Sequence, residues 1–133
     1  VSEPKFLSMI EADELIEWSR VYGNYYGVPK SQILDPTSNG NNVLLRVDVQ
    51  GAMKIKSTIP EVILIFIKPD SINSVKKHLS DRGQLSSEQI KTRLDSMNNE
   101  IELSKHFDYI IINEEGNIDL VVNKVKDIID HNI

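Results

Sequence analysis

The apolar positions of this chain follow two periods, and they switch several times along its length. Phe6, Met9 and Ile10, followed by Leu15, Ile16 and Trp18 with acids between them, predict one or two short amphipathic helices. Residues 21–29 read Val-Tyr-Gly-Asn-Tyr-Tyr-Gly-Val-Pro, and this aromatic, glycine-punctuated segment predicts a small hairpin. A helix within residues 30–38 is kept short by Pro36, and Asn39-Gly40-Asn41-Asn42 is a turn signal. Three strands are then predicted, at residues 43–49, 62–67 and 109–112. The last two are near-continuous β-branched runs, as in strands covered on both faces. Ser86-Ser87-Glu88-Gln89 has the spacing of a capping box and launches a helix carrying Ile90, Leu94, Met97 and Ile101. A final helix from about Asn117 carries Val121, Val125 and Ile128 on one stripe. Strands alternating with helices predict a three-layer α/β core around a parallel sheet. Three strands are few for such a sheet, so part of it is expected to lie N-terminal to this sequence.

Composition narrows the function classes. The 133 residues hold 40% hydrophobic and 26% charged side chains, an ordinary globular balance that excludes disorder and fibrous classes. There is no cysteine, hence no disulfide framework, Cys-based zinc site or thiol nucleophile. The longest apolar run, Val62 to Ile67, is too short to span a bilayer. Fifteen basic against twenty acidic residues give a net charge of −5, which argues against a nucleic-acid footprint. Neither nucleic acid nor a membrane is therefore expected as a partner, while a small anionic ligand gripped by a few arginines stays open.

Few residues stand out chemically. Period-two alternation puts Arg46 and Asp48 on one face of the 43–49 strand, opposite Leu45, Val47 and Val49. Gly51-Ala52 then opens a helix, whose N-terminus attracts anions. Arg82 and Arg93 flank the capped helix start and could meet one polyanion as guanidinium forks. Taken singly, these features also fit a solvated ion pair and exposed surface charges. Glu17 also fits a helix-surface position, and Tyr25 and Tyr26 half-buried hairpin aromatics. His78, His106 and His131 lack metal-ligand spacing, and no Ser/His/Asp motif occurs.

Together the segments resemble a known family. Ile16-Glu17-Trp18, Gly23-Asn24-Tyr25-Tyr26-Gly27, Val47-Asp48-Val49-Gln50-Gly51-Ala52, Ile65 to Ser71, Asp81-Arg82-Gly83 with Arg93-Leu94, Phe107-Asp108-Tyr109 and Ile112-Asn113 are similar to guanylate kinase in order and spacing. The resemblance covers nearly the whole chain and implies a nucleoside-monophosphate-kinase core with a small GMP-binding lobe and a helical lid. It places the lobe at residues 1–42, the core at 43–70 and 95–133, and the lid at 71–94. The implied activity is Mg²⁺-assisted phosphoryl transfer from ATP to GMP by a monomer or homodimer, in the cytoplasm or an organelle.

Residue by residue, the resemblance implies that Glu17 accepts hydrogen bonds from guanine N1 and N2. Tyr26 donates to the GMP phosphate with Tyr25 nearby, and Val28 and Gly51 complete the GMP site. Asp48 sits beside the phosphates and holds magnesium directly or through water. Arg82 and Arg93 are lid arginines that neutralise the transferring phosphoryl group, Arg82 also touching ATP, and Asn113 lies near adenine. Val28 stands where the family has Ser or Thr, Arg46 where it has an acid, and His78 where it has an arginine. No G-x-x-x-x-G-K-[ST] phosphate loop occurs in the 133 residues, so the chain is expected to be the C-terminal two-thirds of such an enzyme and inactive alone. The alternative is a non-catalytic guanylate-kinase-like module that binds a phosphopeptide or nucleotide.

Overall fold

The computed structural model describes residues 1–21, 23–81 and 86–132. Contacts divide the chain into two compact units, Val1–Val62 and the remainder from Ile63. The first unit holds α1 (Glu3–Glu11), β1 (Leu15–Val21), β2 (Asn24–Pro29), α2 (Ser31–Ser38) and α3 (Val49–Thr58). Ser2 caps α1 by accepting the Lys5 N–H, and Pro4 sits in the first turn, where no donor is needed. Asp13 then takes φ 53, in the left-handed region, which ends any helical continuation.

Leu15, Ile16 and Trp18 therefore stand on a strand, not on the second helix predicted for them. Their apparent helical spacing covers only four residues. It loses to an antiparallel ladder in which Glu17 opposes Val28, Trp18 opposes Gly27, Ser19 opposes Tyr26 and Arg20 opposes Tyr25. The predicted hairpin exists but starts earlier, so residues 24–29 supply only its second strand. Gly23, at φ +84, provides the left-handed residue of the turn. Gly27 has a packing role: a methyl group there would lie 2.9 Å from the Glu17 carbonyl oxygen and 3.0 Å from the Phe6 ring. Its absence lets α1 rest against the hairpin.

The strand predicted at residues 43–49 does not form. Among the described residues, 43–48 joins no ladder, because no neighbouring strand offers it hydrogen bonds. Its alternation survives nevertheless. Val43, Leu45 and Val47 turn toward the buried cluster of Ile16, Ile33 and Ile55, while Arg46 and Asp48 are exposed.

The second unit holds β3 (Ile65–Pro69), α4 (Ile72–Asp81), α5 (Ser87–Leu103), a 3₁₀ turn (Ser104–His106), β4 (Tyr109–Asn113) and α6 (Ile118–His131). β3 and β4 pair in parallel, from Ile65 opposite Tyr109 to Pro69 opposite Asn113. The Asp108 carboxylate accepts the Leu64 N–H at 2.8 Å and ties the start of β3 to the entry of β4. α5 begins with the predicted capping box: Ser86 Oγ accepts from the Gln89 N–H and Gln89 Oε1 from the Ser86 N–H. Asn117 precedes α6, whose Val121 is buried, as is Ile111 of β4, while Ile67, Ile110 and Ile112 are about half exposed. This is the predicted α/β class with a parallel sheet, of two strands among the described residues. The predicted lobe, 1–42, falls inside the first unit, and the predicted lid, 71–94, takes in α4 and the start of α5.

Candidate functional site

The first unit gathers a compact polar site where β1 meets the N-terminus of α3. Asp48 is extended, at φ −72 and ψ 170, and caps α3. Its Oδ1 accepts the Gly51 N–H at 2.7 Å, the usual role of an N-cap aspartate. Glu17 on β1 reaches the same helix turn. A methyl group on Gly51 would lie 3.2 Å from Asp48 Oδ1 and 3.3 Å from the Glu17 carboxyl carbon. Gly51 thus lies between two carboxylates, and its missing side chain lets both approach one patch of surface.

The electrostatics follow from that proximity. Burial raises the Glu17 carboxyl above its ordinary range, the Lys54 ammonium draws it back down, and Asp48 adds a further upward push by like charge. Lys54 stands three residues after Gly51, on the same side of α3. Its Nζ donates to the Trp18 carbonyl at 3.4 Å, beside Glu17. Sequence reasoning did not single out Lys54; its three-residue spacing from Gly51 was the available signal.

The hairpin sorts the two tyrosines. Tyr26 is 57% exposed and, by alternation and register, shares the Glu17, Ser19 and Val28 face. Tyr25 points the other way, stacked on Phe6 with ring centroids 5.4 Å apart, tilted against Trp18 at 6.2 Å, and covered by the Arg20 guanidinium at 5.2 Å. Val28 lies opposite Glu17 and packs half-buried against the Ile16–Ile33–Ile55 cluster. Glu17, Asp48 and Gly51 therefore meet at one place, Tyr26 and Val28 share the Glu17 face of the hairpin, and Tyr25 packs on the opposite face.

The second unit carries a cleft of about 370 Å³ beyond the carboxyl ends of β3 and β4, where ligands of parallel sheets bind. Asn113 lines it, with Asp70, Val75, Glu115, Gly116 and Ile118. Asp70 accepts from Ser74 Oγ at 2.6 Å, and that bond, with backbone donors at Ser71 and Glu115, holds its carboxyl below the usual range. Arg93 lies exposed on α5 and His78 lies on α4. Arg82 and Gly83 lie outside the described residues. Among the described residues no group of three His, Cys, Asp or Glu side chains is placed to hold a metal ion. No helix among them is long and apolar enough to cross a membrane.

A family profile described as guanylate kinase matches residues 1–132. A guanylate kinase of Caldanaerobacter subterraneus subsp. tengcongensis is 39% identical over 128 residues, 96% of this chain and 61% of that protein. Guanylate kinase 2, chloroplastic/mitochondrial, of Oryza sativa subsp. japonica is 38% identical over 131 residues, 98% of this chain and 46% of that protein. The crystal structure of guanylate kinase from Anaplasma phagocytophilum superposes with a TM-score of 0.75 at 31% identity, covering 98% of this chain and 62% of that one. The chain thus spans less than two-thirds of the length of these relatives, and shares the fold of the Anaplasma protein over that span. By family profile, by sequence and by fold, the chain belongs to the guanylate kinase family.

Proposed function

We propose that the protein carrying this chain transfers the γ-phosphoryl group of ATP to GMP, and that these 133 residues supply the GMP-reading lobe, a lid and the adenine end of the ATP site. The observation that carries the reading is the approach of Glu17 and Asp48 to one another across Gly51, with Tyr26 on the Glu17 face of the hairpin. An ionised carboxylate only accepts hydrogen bonds. Glu17 can therefore take the N1–H and 2-amino protons of guanine, whereas adenine offers no such donor edge. The free edge of Asp48 adds a second acceptor beside it. Tyr26 directs its exposed hydroxyl to the GMP phosphate, and Tyr25 braces the strand from behind. Val28 presents methyl groups in place of the family's hydroxyl, so guanine is read here chiefly through its donor edge.

Asp48 is the residue of this chain that would meet magnesium. Asp48 already spends one oxygen on the α3 cap. Mg²⁺ is commonly held by one or two carboxylates together with water and substrate phosphates, and Asp48 would meet it directly or through water. When bound, the ion neutralises phosphate charge. Arg82 and Arg93 act on the same charge from residues 71–94, most strongly in the transition state. Asn113, in the cleft beyond β4, faces the adenine of ATP.

The full-length protein, given ATP, Mg²⁺ and GMP, is expected to form ADP and GDP at a rate within the usual range of about 1–10³ s⁻¹. Glu17→Ala is expected to lower kcat/KM for GMP about 30- to 900-fold, equivalent to about 2–4 kcal/mol, the cost of losing a charged acceptor that reads a donor edge. Unchanged kcat/KM in that variant would refute the assignment of Glu17. Absence of GDP with the unmodified protein would refute the activity.

A further inference from the structure

We infer that Lys54 is a positioning residue of the guanine-reading site: tethered to the Trp18 carbonyl, its ammonium offsets the charge of Glu17, which Asp48 crowds across Gly51. The inference rests on the reading of Glu17 given above. Two carboxylates share one small region, since a single methyl group at Gly51 would touch both side chains. Like charges so placed repel, and the repulsion grows when a bound base expels water and the local dielectric falls. An offsetting positive charge is needed nearby, and it must not consume the oxygens that guanine requires.

Lys54 meets both conditions. It stands one helical turn beyond Gly51, and the Trp18 carbonyl that holds its Nζ at 3.4 Å belongs to the residue next to Glu17. Because the ammonium donates to the backbone and not to Glu17, it acts across space and leaves the carboxylate edge open. The charged groups around Glu17 are consistent with this arrangement: Lys54 opposes, and Asp48 reinforces, the upward effect of burial on its carboxyl.

The test uses the full-length protein and separates binding from turnover. Lys54→Met is expected to raise the KM for GMP about fivefold, the size of one partly exposed charge interaction. The kcat at saturating GMP and the KM for ATP should stay within about twofold. Lys54→Arg, which keeps the charge, is expected to restore the GMP KM. In a Glu17→Gln background, Lys54→Met should have no further effect, since the charge it faces is gone. If Glu17→Gln raises the GMP KM but Lys54→Met does not, the role of Lys54 is overturned and the reading of Glu17 stands. If neither substitution alters it, both are overturned. If Lys54→Met lowers kcat and thermal stability together and Lys54→Arg fails to rescue, Lys54 is structural only and the inference is again overturned.

Discussion

Glu17 shows at the level of one residue how a proposed binding group works against folding. Its carboxyl is raised by burial and by Asp48, with Lys54 opposing in part, so folding favours its protonated form. The folded state then holds the proton to higher pH than the unfolded chain does. Stability associated with Glu17 is accordingly greatest below its ordinary value of 4.5 and is lost as pH rises through the raised value. Glu17→Gln removes that dependence while keeping the shape. The variant is expected to melt at a higher temperature than the parent at pH 7, with the gain shrinking as pH falls toward about 4.5. Equal melting temperatures across that range would show that Glu17 carries no such strain.

At the scale of elements, the hairpin depends on a close approach at Gly27. Gly27→Ala would press a methyl group onto backbone at 2.9 Å and onto Phe6, so β2 or α1 must shift. The expected cost is about 1–3 kcal/mol of unfolding free energy, typical of overpacking, read from denaturant midpoints. Sequence patterning made much of this architecture legible. The Ser86–Gln89 cap, the start of α6 near Asn117 and the β3 and β4 runs are set by local chemistry, and each is found within a few residues of its expected place. Leu15 to Trp18 was misread because four residues cannot distinguish a helical from a strand period. Only the partner strand at residues 24–29 decides the matter. Residues 43–48 kept the alternation that burial dictates but not the ladder, which needs a neighbour. In the candidate site, the family resemblance singled out Glu17, Asp48 and Gly51, and the structure brings these three side by side. The opposite facing of Tyr25 and Tyr26 required the register, and Lys54 required a contact between elements.

For the whole molecule, the parallel sheet, two-stranded among the described residues, is the weak point. So small a sheet has little independent stability, and Ile67, Ile110 and Ile112 remain about half exposed. A polypeptide of these 133 residues alone is expected to bind a hydrophobic dye and to self-associate at micromolar concentration. It should also give no GDP from ATP and GMP, because its sequence has no phosphate-loop motif to cradle the β- and γ-phosphates. Light scattering and a product assay check both. A monodisperse polypeptide that turned over at about 1 s⁻¹ would refute this account.

The Asp48 carboxylate is both the cap of a helix and a wall of the proposed nucleotide site, so a ligand there becomes a reporter of backbone opening. When the first turn of α3 frays, the Gly51 N–H leaves Asp48 Oδ1 and the carboxylate swings away from Glu17. A nucleotide held by both acids would resist that motion, and amide hydrogen exchange at Gly51 and Ala52 is expected to slow when GMP is added. Asp48→Asn keeps a competent cap but loses the charge. In that variant the same two amides should exchange at an ordinary rate without ligand and slow less when GMP is added, which separates the two duties of one side chain.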